Sequence, residues 1–163
     1  MTVPTEIADG ETVIRCCFLP YHVKGGRLHW KAFQPPRDGR LSVVRLQYST
    51  PDLCKAHGVA LANAAQDKEY TGLAAILTQS IRACRVDVVD APDDAVVGHA
   101  EIVFNYTYID NEPSPTAEET AAMVETCKEL RDRANYYADP APVDDGWHGE
   151  PITSPQFDSA KPE

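Results

Sequence analysis

An α+β domain is the fold class this sequence predicts, built on a mixed or antiparallel sheet of about five strands with two central helices and a C-terminal helix. Three observations predict it. Segments toward both ends of the chain alternate with the period of two expected of strands, whereas stretches between them repeat at the helical period of 3.6. Thr116 and Glu119 form a capping box ahead of a long amphipathic segment. With 163 residues, of which 43% are hydrophobic, the chain can bury one core of ordinary single-domain size.

The first element is residues 12 to 19, TVIRCCFL, apolar except for Arg15, as expected of a strand covered on both faces. Pro20 ends it. A Gly25-Gly26 turn leads to residues 27 to 33, where Leu28, Trp30 and Ala32 alternate with His29, Lys31 and Phe33 and predict a second strand. Turn formers follow at PPRDG. The third strand is residues 41 to 48, with Val44, Leu46 and Tyr48 on one face and Arg45 and Gln47 on the other.

Ser49 and Thr50 are then both candidate caps, with Pro51 at a first-turn position, for a helix to about Gln66, with Leu53, Ala56, Ala60, Leu61 and Ala64 at helical spacing. A second helix is expected from Thr71, placing Leu73, Ile76, Leu77, Ile81 and Cys84 on one stripe. Strand pattern returns at residues 85 to 89 and 97 to 108. In the latter, Ala100, Ile102, Phe104, Tyr106 and Tyr108 share a packed face, and His99, Glu101, Asn105 and Thr107 share the other, which is wet or faces a cleft. The final helix starts after Thr116, carries Met123, Cys127, Leu130, Ala134 and Tyr137 on its stripe, and stops before Asp139-Pro140.

Three regions follow from this pass: a flexible N-terminus at residues 1–11, a single domain at 12–137 and a tail at 138–163. The tail holds five prolines, six carboxylates and one lysine, too little apolar material to offset chain entropy, so disorder is expected there.

The formal net charge of -10 gives a field that repels nucleic-acid backbones and anionic lipid, although a local basic patch can oppose the average. Five cysteines without a C-x-x-C pair argue against a disulfide framework or a zinc knuckle and fit reduced thiols in the cytoplasm. No run approaches the roughly 18 apolar residues of a membrane span, and no signal or transit segment is expected. No G-x-G-x-x-G, Walker loop, H-E-x-x-H or G-x-S-x-G occurs, and the cofactor, if there is one, is unknown.

Two constellations remain. His99 and Glu101, two apart on a strand and therefore on one face, form a candidate acid/base pair or two ligands of a metal, joined by His22 as a catalytic candidate. The simpler reading is a polar, solvent-facing edge. Basic residues concentrate in the first 45 positions, and His29, Lys31 and Arg45 are candidate ligand-binding groups for a phosphate or carboxylate. Here the simpler reading is charges that blunt a strand edge. Cys16 and Cys17 near His22 read as core packing rather than as nucleophiles. In the tail, Trp147 and Phe157 are candidate partner-binding anchors among carboxylates.

The order His22, Ala32-Phe33, Pro35, Leu41-Ser42-Val43 and His99-Ala100-x-Ile102 resembles a group of small bacterial proteins sharing an H…AF-x-P…LSV…HA-x-I pattern over about residues 14 to 104. That resemblance implies a shared fold and marks His22 and His99. A fainter likeness is to ADP-ribosyltransferase-like domains, with Arg15 on a first strand, Ser42 on a middle strand and Glu101 late. It departs from that pattern in lacking the Ser-Thr-Ser setting and in having His99 where a second glutamate is expected.

Two functions from different classes fit. The first is a non-catalytic protein-binding or accessory module of a bacterial multi-protein system, with another protein as partner. The alternative is a small enzyme or an anion- or nucleotide-ligand binder with a His/Lys/Arg/Glu cleft, of ADP-ribosyltransferase-like type in one version.

Overall fold

In the computed structural model, which describes residues 2–104 and 115–153, helices and strands share one architecture. The strands are β1 Thr12–Leu19, β2 Val23–Lys24, β3 Arg27–Leu28, β4 Arg40–Arg45, β5 Glu69–Leu77, β6 Asp87–Asp90, β7 His99–Val103 and β8 Asn135–Ala138, and the helices α1 Pro51–Ala65, α2 Thr78–Ala83 and α3 Ala117–Arg133. Six strands form one antiparallel sheet in the order β6-β7-β4-β1-β5-β8. The two-stranded β2-β3 hairpin turns through Gly25 and Gly26, both at positive φ, as a tight hairpin requires.

The sheet is packed on both faces, which is why β1 reads as an almost unbroken apolar run. Val13 and Cys17 join Phe33, Val43, Ile76, Ala100, Ile102 and the α3 residues Met123, Cys127 and Leu130 in one core cluster. Ile14, Cys16 and Phe18 join Val44, Leu73, Ala75 and the α1 residues Cys54 and Ala62 in the other. Helix α1 is capped by the Thr50 side chain on the Leu53 N–H with Pro51 at its start, and α3 by the full Thr116/Glu119 capping box. Both caps are as the sequence predicts.

Several expectations need correction. The predicted second central helix is mostly β5. Every residue from Gly72 to Leu77 is buried, so the run lacks alternation, and two-sided burial in a strand mimics the stripe of a helix. Only Thr78–Ala83 is helical; two of its first amides donate to carbonyls of Glu11 and Asp9. The second strand ends at Leu28, because Ala32 and Phe33 are both buried; consecutive buried side chains suit the 3₁₀ turn Trp30–Phe33 and not a strand. The third strand ends at Arg45 and becomes a 3₁₀ turn at Leu46–Tyr48. The last helix stops at Arg133, and residues 135–138 pair with β5, whose edge supplies the hydrogen bonds that a further helical turn would have made.

Residues 2–11 and the described part of the tail, residues 138–153, are more engaged than their composition predicts. Ile7 is buried in the core and Glu11 is bound to Arg45, so residues 2–11 lie against the domain. Past α3, Asp139 is buried and paired with Lys55, and Trp147 and Ile152 pack against the α1-side core. The continuation of β7 through Tyr106 and Tyr108 lies outside the described residues. No helix among those described is long and apolar enough to cross a membrane.

Candidate functional site

A short strand ladder creates the site. Strands β1 and β4 are paired only through Val13 with Arg45 and Ile14 with Val44. At the next residue a side chain takes over: Arg15 Nε donates to the Ala32 carbonyl at 2.8 Å, and Nη1 to the Ser42 carbonyl at 3.2 Å. Alongside lies a cleft of about 580 Å³ lined by Arg15, His22, Lys31, Arg40, Ser42 and Lys68, among others.

Four cations thus converge in a chain whose net charge is -10. Among the described residues only Arg40 of the four is in an ion pair, with Glu101 at 3.1 Å on the exposed rim. Arg15 is held by carbonyls, which orient it without neutralising it. Burial lowers the Arg15 pKa, and burial followed by repulsion from Arg15 lowers that of Lys68, whose ammonium sits 4.3 Å from the Phe18 ring centre. A bound anion would relieve that repulsion.

His22 contributes a neutral donor. Its Nδ1 accepts from the Phe18 N–H at 3.1 Å, so the ring proton resides on Nε2. Burial, and then Arg15, Lys68 and His29, push its pKa down to about 3.

His99 needs correction, because its side chain is not on a wet face: the residue is 7% exposed. Its Nδ1 lies 2.7 Å from the Ala91 carbonyl and its Nε2 3.0 Å from Ser42 Oγ, so both ring nitrogens are satisfied under the turn that precedes β7. The His57 ring of α1 stands edge-on to it at 6.4 Å, and burial followed by His99 lowers the His57 pKa. Glu101 sits opposite Ser42 in the β4-β7 register, but its carboxylate pairs with Arg40 rather than His99, so the two do not form the expected acid/base pair.

The remaining candidates separate. Arg45 is fully buried away from the cleft, bound to Glu11 at 2.8 Å and Asp90 at 2.9 Å and to the carbonyls of Pro4 and Glu6. A guanidinium so enclosed holds the N-terminal segment in place and does not meet a ligand. His29 also departs from expectation: its Nδ1 accepts from the Lys31 N–H and caps the 3₁₀ turn, while Lys31 itself lines the cleft. Trp147 packs inward and donates Nε1–H to the Glu150 carbonyl, so its ring is engaged by its own chain. Phe157 lies outside the described residues. The thiols are buried, and burial pushes Cys16 up to about 11, Cys54 to about 12 and Cys17 higher still, far from a reactive thiolate.

Sequence reasoning assigned no cleft role to Arg40 or Lys68; Ser42 entered through both resemblances, and Arg15 was given a functional role only through the ADP-ribosyltransferase-like one. Arg15 did carry a signal, a lone charge inside an apolar strand. Lys68, in an ordinary polar loop, carried none.

No group of three or more His, Cys, Asp or Glu side chains among the described residues could hold a metal ion. Comparison with protein-family models, curated proteins and solved structures finds no match.

Proposed function

We propose that the cleft beside β1 and β4 binds a small molecule carrying a phosphate or an equivalent cluster of negative oxygens. One observation carries this reading: Arg15, Lys31, Arg40 and Lys68, drawn from four separate segments of an acidic chain, line one concavity, and among the described residues only Arg40 of the four is in an ion pair. Like charges gathered with few counter-charges repel one another, and an anionic ligand relieves that penalty. The volume suits a small ligand rather than a macromolecular surface. His22 Nε2–H adds a donor that stays neutral, and the guanidinium of Arg15 is already oriented, so little ordering is required on binding.

The ADP-ribosyltransferase-like resemblance adds dinucleotides to the candidate ligands, since Arg15 bonds the Ser42 carbonyl and Ser42 faces Glu101 across the ladder. A protein-binding or accessory role draws on Trp147, whose ring is occupied within the chain, and on Phe157; the cleft carries the stronger argument.

Thermal unfolding with inorganic phosphate, pyrophosphate, ATP and NAD tests the reading. At least one of these ligands is expected to raise the midpoint progressively with concentration, and a Lys31→Ala/Lys68→Ala double variant is expected to lose most of that rise. A flat response to all four at millimolar concentration overturns it.

A further inference from the structure

Ser42 and His99 form a donor-acceptor pair with a defined proton direction. The Ala91 carbonyl can only accept, so His99 Nδ1, 2.7 Å away, carries the proton. In the neutral ring Nε2 is then the acceptor, and Ser42 Oγ, 3.0 Å away, donates to it. A hydroxyl bonded to a base that is itself oriented from behind is the arrangement that activates an oxygen nucleophile. Here the base sits under a turn, whereas Ser42 is only partly buried and lines the cationic cleft.

Resting on the anion-binding reading, we propose that Ser42 is an acyl-accepting nucleophile with His99 as its general base, and that the substrate is an ester or thioester whose anionic part is held by Arg15, Lys31, Arg40 and Lys68. Ser42 Oγ attacks the carbonyl carbon while its proton passes to His99 Nε2. The tetrahedral oxyanion forms near the Arg15 guanidinium, which is anchored to the carbonyl of Ser42 itself. The bond to the alcohol or thiol then breaks, and the leaving group takes the electron pair of that bond and the proton from Nε2. Water attacks the acyl-serine and gives a proton to His99; the Oγ–carbon bond breaks, Oγ recovers that proton, and a carboxylic acid departs. The sum is ester plus water giving acid plus alcohol.

Acyl transfer fits better than phosphoryl transfer. At a tetrahedral carbon, one imidazole can serve both nucleophile and leaving group, as in serine hydrolases. In-line displacement at phosphorus expels the leaving group on the side opposite the nucleophile, out of reach of His99.

The test uses the full chain, a fluorophosphonate probe and 4-nitrophenyl acetate. The probe is expected to modify Ser42, as mapped by peptide mass spectrometry, and pyrophosphate is expected to slow the modification. Ser42→Ala is expected to abolish labelling and ester hydrolysis, and His99→Gln to slow both on the order of a hundredfold or more. Mapping the wild-type adduct needs no variant and stands even if His99→Gln unfolds. An unlabelled wild-type protein, or a Ser42→Ala variant that cleaves the ester at the wild-type rate, overturns the nucleophile. Either result alongside a pyrophosphate-induced thermal shift leaves the anion-binding reading standing. Labelling of Ser42 with no protection and no thermal shift instead overturns the substrate class together with that reading.

Discussion

Ser42 Oγ lies 3.0 Å from His99 Nε2, although 57 positions separate the two in the chain. The β4-β7 ladder brings them together by placing Val44 opposite His99 and Ser42 opposite Glu101, so the imidazole reaches its hydroxyl diagonally. Gly98 sets where β7 begins. It has φ +87°, its carbonyl accepts from the Arg45 N–H at 2.8 Å, and a Cβ there would meet the Arg45 carbonyl at 3.0 Å.

Gly98→Ala is therefore expected to lower stability by about 1–3 kcal/mol, the usual range for a side chain forced into such backbone. It should also displace His99 from Ser42. Urea unfolding reads the first effect and fluorophosphonate labelling the second; an unchanged unfolding midpoint would contradict the assigned strain.

Arg45 joins the N-terminal segment to β4 and β6 through Glu11 and Asp90. Hydrogen bonding to Glu11 raises its pKa, outweighing burial, so it remains charged. Arg45→Ala would leave two buried carboxylates unpaired, and a loss of about 3–5 kcal/mol is expected. Arg45→Lys restores the charge but not the forked geometry and should fall between. Chemical denaturation together with hydrogen exchange at residues 2–11 checks this, and wild-type protection in Arg45→Ala would refute the network's role.

His22 gives stability a pH dependence of defined sign. Burial, then Arg15, Lys68 and His29, lower its folded pKa to about 3, whereas the unfolded value is about 6.5. The unfolded chain therefore binds the proton first as pH falls. This contribution is complete above about pH 6.5 and declines from there toward pH 3. His22→Gln should flatten the fall between about pH 6.5 and 4.5, a window in which few carboxylates titrate. Parallel stability curves for variant and wild type would exclude the effect.

Lys55 ties residues 139–146 to α1. Its ammonium meets Asp139 at 3.0 Å and the carbonyls of Ala141 and Gly146 at 2.8 and 2.7 Å, and Asp139 also accepts from Tyr70 Oη at 2.9 Å. Burial alone would raise the Asp139 pKa, but bonds from the Ala141 N–H, Lys55 and Tyr70 outweigh it and leave the pKa lowered. Lys55→Met is expected to cost about 3 kcal/mol and to expose residues 139–152 to protease. Limited proteolysis and the fluorescence of Trp147 report the release; unchanged cleavage would show that the segment is held by its apolar contacts alone.

Local signals were legible where the chemistry is local. Thr50-Pro51 and Thr116 with Glu119 marked the starts of α1 and α3 because capping involves residues a few positions apart. The apolar run of β1, interrupted only by Arg15, likewise announced a strand buried on both sides. Residues 71 to 77 misled for a related reason: Gly72 through Leu77 are buried on both faces too, and a segment without a polar face has no period from which to distinguish strand from helix. At the candidate site, Lys31 and His22 were identified, whereas Arg45 was placed with them although it is enclosed by Glu11 and Asp90.

By itself the sequence determined the α+β class, the capped ends of two helices, the burial of the cysteines and the acidic balance of the chain, since each depends on composition or short-range spacing. Only the tertiary structure decided which cations share a cleft, that His99 is covered and bonded to Ser42, and that residues 4–11 and 139–146 are drawn in by Arg45 and Lys55. Those features depend on strand order and register, in which residues tens of positions apart become neighbours. A buried charge such as Arg45 shows in the chain only as an arginine, because its carboxylate partners at Glu11 and Asp90 are assigned by the fold.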